Sequence, residues 1–436
     1  MKIMRTLLLG SAVGLMAVSA QAADLPARKA APIEYVRVCS TYGEGFFYVP
    51  GTDSCLRITG RVRAELLYNE PFARANDSIG FRARGRIQLD HRTSTAYGLL
   101  RSVVRLESTA DSGTPFGFQG TTSNTGSVAQ AFIQFGGLTA GRTTSFFDNG
   151  DLPTAHFGTL RFSDAPDLSL FAYTFSFGNG FSSTIAIEDG YSRRNSTAPI
   201  GVFPGPALDP IELVYAGQTL PDVVGNVKYA GTWGSAQLSG ALHQIRDAGT
   251  LTREFADTEY GFAATAQVGV NLPFLGAGDA AWFAATYANG APGYLGFGTN
   301  AAFGTIDAIA VTDAYVDPIT NDLEKSKGWS IAGGLTHNWT PAFRSSLFGS
   351  YARVEYDGSA TAVAADGASV GFVDFSEYRI GGNTIWTPVS GLDVGVEVIY
   401  AKIDPRGRVA GTISGAPVLV NSDSLIEGRL RVQRDF

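Results

Sequence analysis

The stretch Leu56-Arg57-Ile58-Thr59-Gly60-Arg61-Val62-Arg63-Ala64-Glu65-Leu66-Leu67-Tyr68 separates into two sets when every second residue is taken. Leu56, Ile58, Gly60, Val62, Ala64, Leu66 and Tyr68 are apolar or small, whereas Arg57, Thr59, Arg61, Arg63 and Glu65 are polar. Side chains of a β-strand point alternately to its two faces, so this pattern is a strand lying between unlike environments. The segment from Ile79 to Asp90 repeats it in the opposite parity, with Ile79, Phe81, Ala83, Gly85, Ile87 and Leu89 set against Arg82, Arg84, Arg86, Gln88 and Asp90.

Working outward, the same period predicts sixteen strands, at about 56–68, 79–90, 96–108, 128–135, 138–147, 168–177, 181–188, 222–229, 233–244, 259–270, 279–288, 328–337, 343–354, 376–386, 391–402 and 424–436. Short connections such as Gly136-Gly137 and Gly178-Asn179-Gly180 force antiparallel hairpins, and they alternate with long ones. All long loops therefore fall at one end of the sheet. A water-soluble sandwich would show the same alternation. The even strand count, the one-sided long loops and aromatic residues near strand ends (Tyr68, Phe177, Trp329, Trp386) favour a 16-stranded antiparallel transmembrane β-barrel, closed by pairing of the last strand, ending at Phe436, with the first.

Composition supports an exported sheet protein. Of 436 residues only 17% are charged, against ~25% for an average soluble domain. After residue 22 no apolar run approaches the ~18 residues of a membrane-spanning helix. Residues 1–22, with Lys2 and Arg5, an apolar run and Ala20-Gln21-Ala22, have the pattern of a signal peptide. Its removal takes away two positive charges and moves the net charge from −7 to −9, which disfavours nucleic acid as a partner. Cys39 and Cys55 are expected to form one disulfide, stapling an N-terminal, periplasmic-side segment (23–55) ahead of the barrel (56–436).

Three stretches resemble the trimeric porins of alphaproteobacterial outer membranes. They are Val36-Arg37-Val38-Cys39 with Phe46 through Ile58, Leu138-Thr139-Ala140-Gly141-Arg142-Thr143-Thr144-Ser145-Phe146-Phe147-Asp148, and Leu430 to Phe436. The resemblance implies a homotrimer in outer-membrane lipid and lipopolysaccharide, passive diffusion of small hydrophilic solutes, and a third loop (148–167) folded into the lumen as a constriction. It also implies that Phe436 is read by the outer-membrane assembly machinery. The outward set of the fifth strand, Thr139, Gly141, Thr143 and Ser145, is small and weakly polar, as a protein-packed face would be.

The inward sets of the first three strands hold eight arginines against Glu65, Asp90 and Glu107. A mid-membrane arginine costs ~2–4 kcal/mol on the lipid side, so these must line water. Arg61, Arg63, Arg82, Arg84, Arg101 and Arg105 form the expected basic wall, Arg142 joins it on the general-porin pattern, and Asp148, Asp151 and Asp164 of the third loop are its expected acidic opposites. The plain alternative is a wall of internal salt bridges and a loop whose aspartates cap turns. The −9 charge leans the expected ion preference slightly to cations. A sugar-specific channel, an adhesin-like structural barrel and a barrel hydrolase are the competing readings. The inward aromatics Phe132 and Trp282 are scattered, and His91, His156, His243 and His337 form no metal-spaced pair, so neither a sugar track, a catalytic site, a metal nor a cofactor is expected. The long loops 189–221 and 289–327 read as exposed.

Overall fold

Sixteen strands close into one antiparallel ring in the computed structural model, which describes residues 37–71, 74–201, 210–251, 253–413 and 416–436. The signal-peptide reading of 1–22 lies outside the described residues. The strands are β1 Cys55–Asn69, β2 Ile79–Thr95, β3 Gly98–Gly113, β4 Phe118–Phe135, β5 Leu138–Thr144, β6 Asp167–Gly178, β7 Phe181–Glu188, β8 Asp222–Gly231, β9 Gly234–Ile245, β10 Glu259–Asn271, β11 Ala280–Asn289, β12 Lys327–Thr340, β13 Phe343–Glu355, β14 Phe375–Val389, β15 Leu392–Pro405 and β16 Asp423–Asp435. Each pairs with its neighbours in sequence, and β16 closes the ring on β1 with Arg61 opposite Asp435 and Asn69 opposite Glu427. Closure leaves no unpaired edge, which a sheet in lipid requires.

The alternation read from the sequence is the alternation of the wall. Ile58, Val62, Phe81, Ile87 and Phe171 stand out from it, while Glu65, Asp90 and Gln130 are buried on the inner side. A short strand, Phe46–Tyr48, pairs with Cys55–Arg57 and continues the sheet below the end of β16. It is held by the Cys39–Cys55 disulfide, with Phe46 buried under the guanidinium groups of Arg57 and Arg92 at 4.9 and 4.7 Å.

Three expectations need correction. The fourth strand starts at Phe118, not 128, because Gly120 to Ser127 is small and polar on both faces and shows no alternation, yet Thr122, Asn124 and Gly126 pair with Ser112, Ala110 and Ser108. On β5, Thr139 is buried and its hydroxyl accepts from Gln134, while Ala140 pairs with the outward Ile133 and Phe171. The expected small outward face of that strand is therefore not there, and the strand ends at Thr144, where Ser145 turns inward to bond Glu188 at 2.7 Å. The long loops, expected as exposed, fold into a cap whose apolar core is continuous with the inner wall of the barrel through Phe147, Leu168 and Leu170. Residues of 300–303, 306–310, 409–413 and 416–420 form a four-stranded sheet, and Tyr294, Leu295, Ile309, Val311, Tyr315 and Phe372 are buried. Burying that much apolar surface, at roughly 25 cal/mol per Å², is what fixes loops of this length.

Candidate functional site

The register between β16, β1, β2 and β3 sets the inner side chains in rows. One row reads Asp435, Arg61, Arg86, Glu107, the next Gln433, Arg63, Arg84, Thr109, and a third Arg431, Glu65, Arg82, Asp111. Each guanidinium is held by a neighbour in its own row: Arg61 by Asp435 at 2.6 Å, Arg63 by Gln433 at 2.9 Å, Arg82 by Asp111 at 2.6 Å, Arg84 by Thr109 at 3.1 Å and Arg431 by Glu65 at 2.6 Å. Nearer the turns, Arg105 donates to Gln88 at 2.8 Å, and Arg101, Arg92 and Arg57 share buried Asp90 at 2.9, 2.9 and 3.7 Å. Some of these arginines thus have full carboxylate partners, as the plain alternative requires. Arg63 and Arg105 donate to neutral partners and keep their charge uncompensated in the row.

The connection from β5 to β6, residues 145–166, runs through the barrel interior. Its contacts are with inward side chains of distant strands. The Asn149 amide donates to Gln267 of β10 at 2.6 Å, and its side chain to Ser235 of β9 at 2.9 Å. At the far end, the amides of Phe157 and Gly158 both donate to the Glu397 carboxylate of β15 at 2.6 Å, a charge-assisted pair at a buried acid. Asn383 donates to the Ala155 carbonyl at 2.7 Å and Arg429 to that of Phe157 at 2.8 Å. Arg161 returns the loop along β13 and β14, donating to buried Glu377 at 2.9 Å while its plane lies 4.4 Å from the Phe297 ring. Beneath it Leu160, Phe162, Trp282, Phe348 and Ile399 make a small apolar core.

Between the loop tip and the wall lies a gap of about 260 Å³, lined by Thr154, Ala155, His156 and Phe157 on one side and by Arg61, Arg63, Arg344, Arg431, Gln433 and Asp393 on the other. Of its four guanidinium groups three are matched by one carboxylate each, Arg61 by Asp435, Arg344 by Asp393 and Arg431 by Glu65, and Arg63 keeps its charge beside the neutral Gln433, so the slot is basic by that one group. Arg431 is stacked 3.9 Å over Phe157, and Arg344 is paired with Asp393 at 2.5 Å.

The acids of the loop are distributed differently from the expectation. Asp148 does not face the ladder: it is buried behind the loop, bonded to Ser163 at 2.9 Å and to Arg193 at 3.4 Å, and burial pushes its carboxyl up against the opposing pull of Arg193. Asp151 is exposed and paired with Lys228 at 2.7 Å. Asp164 is exposed, 3.8 Å from His156. Arg142 sits between Ala131 and Ser169, outside the arginine rows, with no ion-pair partner among the described residues. Phe436 exchanges backbone bonds with Gly60, at 2.8 and 3.0 Å, and its exposed ring lies over that glycine. Missed in the sequence were Arg344, Arg431, Glu397, Asn383 and Arg193. For the first four the signal was present, since Arg429, Arg431, Gln433 and Asp435 alternate as clearly as the arginines of β1. For Arg193 there was none, because it stands in a loop.

A family model for the porin subfamily matches residues 24–428. Porin Omp2b of Brucella suis is 37% identical over 244 residues, 53% of this chain and 64% of that relative. Porin Omp2b of Brucella abortus (strain 2308) is 35% identical over 250 residues, 53% of this chain and 63% of that protein, so the match spans less than two thirds of either relative. Among solved structures, the outer membrane channel DcaP of Acinetobacter baumannii has a TM-score of 0.62 at 17% identity, covering 89% of this chain and 99% of that one. Pseudomonas putida OprB has a TM-score of 0.51 at 11% identity, covering 87% and 94%. These likenesses are of fold.

Proposed function

The chain belongs to the porin subfamily, and from that membership we propose that it forms a water-filled channel for the passive diffusion of small hydrophilic molecules and ions across the outer membrane. The observation that carries this reading is the slot of about 260 Å³ between the inward loop and a wall of guanidinium groups. Guanidinium groups lining such a slot are readily hydrated, and a solute passing between them meets a poorly screened field. Planar-bilayer recording on the purified barrel tests it. Stepwise ohmic conductance is the expected result, and a folded barrel that never conducts would turn the assignment to a structural or adhesive role. An esterase assay on the same sample separates that role from the hydrolase reading.

A sugar-specific channel is supported less well. Trp282 is covered by Phe162, with ring centres 5.0 Å apart, and Phe132 lies 5.6 Å under Arg101, so neither belongs to an open aromatic track. Saturable block of the current by one oligosaccharide would reverse this preference.

The copies of a homotrimer are proposed to meet on the outer wall of β1, β2 and β16. Ala64 and Ala83 are small there, and with Leu66, Phe81, Leu430 and Val432 they line a groove of about 640 Å³. Phe436 is the proposed recognition point for the assembly machinery, and lipopolysaccharide the proposed lipid around the rim.

A further inference from the structure

Arg193 closes the turn Gly190–Arg193 in the connection from β7 to β8, and it is almost fully buried, 4% exposed. Its guanidinium reaches both ends of the inward loop. One nitrogen donates to the Ser163 hydroxyl at 2.9 Å, near the loop's exit. The other donates to the Ser145 hydroxyl and to Asp148, both at 3.4 Å, at the loop's entry. Ser163 in turn donates to Asp148 at 2.9 Å, so entry and exit are joined through one cation. The plane of that cation lies 4.3 Å from the ring of Tyr294, in the connection from β11 to β12. Beside it Gly293 packs so closely that a Cβ there would come within 2.3 Å of the Arg193 carbonyl oxygen. Two residues on, Asn195 is tied to Asp313 of the cap: its backbone amide donates to the Asp313 carboxylate at 2.8 Å, and its carbonyl accepts from the Asp313 amide at 2.9 Å.

We propose that Arg193 is the positioning residue of the constriction: a fork-shaped cation supplied by a different loop, which clamps the two ends of 145–166 together and ties them to the extracellular cap. The inference rests on the channel reading for its electrical consequence but not for its mechanical one. A planar guanidinium serves two branches of chain at once, as an ammonium cannot. Removing it leaves Asp148 buried beside Glu188, which is 1% exposed, with no cation between them and the loop ends. The far tip stays tethered at Glu397, so the loop swings about that point and does not leave the barrel.

The test compares wild type with Arg193→Met, Arg193→Lys and the double variant Arg193→Met with Asp148→Asn, which removes the stranded carboxylate should the single change prevent assembly. Two readouts are taken on folded protein. Open-channel current variance should rise at least twofold in Arg193→Met and less in Arg193→Lys. Amide hydrogen exchange at 159–163, where the Arg161 amide is bonded to the Ser350 hydroxyl at 2.9 Å in the wild type, should be at least tenfold faster, while the heat-induced unfolding of the barrel moves little. Unchanged variance and unchanged exchange at 159–163 in a folded Arg193→Met or double variant would overturn the clamp. Faster exchange in a barrel that conducts in no variant would uphold the clamp and sink the channel reading instead.

Discussion

Gly60 has a reason to be glycine that the alternation of β1 conceals. A Cβ built there would meet the Phe436 ring at 2.3 Å, so the terminal aromatic seats on bare backbone. Gly60→Val should cost about 1–3 kcal/mol of overpacking, visible as a lower unfolding temperature of the detergent-extracted barrel. In a Phe436→Ala background most of that cost should disappear, and a cycle showing equal losses in both backgrounds would mean that the two residues do not interact. Glu397 is the corresponding point on the loop side. It accepts two loop amides and the Asn383 side chain, at 2.6, 2.6 and 3.1 Å. Glu397→Ala leaves the two loop amides without a partner, and Asn383 with the Ala155 carbonyl alone, so the tip at 157–158 should release and the mean unitary conductance should rise. Unaltered conductance in a correctly folded variant would show that the tip is held by its apolar underside alone.

The stapled element around Cys39 and Cys55 can be judged in isolation. It closes a short loop, sixteen residues apart in sequence, and in the chain-entropy account such a bridge contributes about 3 kcal/mol by restricting the unfolded state. Replacing both cysteines by serine should therefore lower the unfolding temperature and leave conductance as it is, because Phe46 and its two arginines line the barrel end and not the slot. A change in single-channel conductance larger than the change in stability would assign the segment a part in the pore. The strands themselves were legible to within a few residues wherever one face meets lipid and the other water, as on β1 and β2. Legibility failed at Phe118–Ser127, whose residues from Gly120 on are small or polar on both faces, and in the cap, whose apolar residues are brought together by distant loops and follow no period. The same division holds at the site. The rows of arginine were readable because a strand imposes a spacing, while the direction of Asp148 was not, since one turn of irregular chain decides whether a carboxylate faces the lumen or the wall behind it.

At the scale of the molecule, net charge and lumen charge have opposite signs. Counted from residue 23 the sequence carries −9, but in the slot Arg61, Arg344 and Arg431 are each matched by one carboxylate, Asp435, Asp393 and Glu65, and Arg63 is left over. The acids nearest the loop are spent elsewhere, Asp148 on Arg193 and Asp151 on Lys228. What a permeating ion meets is the local field, so the slight cation lean of the overall charge gives way to an expected preference for anions. Reversal potentials under a salt gradient should report it, most strongly near 0.01 M salt, where the screening length is about 30 Å. Arg61→Ala with Arg63→Ala should move the potential towards cations, and Asp148→Asn should leave it in place. A cation-selective wild type would mean that the cap, and not the slot, governs entry. Copies packed through the outer groove should be separated by Ala83→Trp, read as loss of the heat-labile oligomer on a gel with the monomeric barrel intact.

The seam between β1 and β16 also has a consequence in time. Arg61 and Asp435, bonded side by side, are 374 positions apart in the chain, so the first strand to be delivered has to wait for the last before its second row of backbone partners exists. Throughout that interval one flank of β1 is an open template, able to pair with any passing strand of suitable length. Contacts of such long range also form slowly, because the intervening chain has to be ordered first. The arginines of β1 already face arginines on one flank, Arg61 opposite Arg86 and Arg63 opposite Arg84, so what the waiting flank lacks is an acid and an amide; Asp435 and Gln433 of the last strand bring them, a second copy of β1 does not, and the ring is left to close on its own tail.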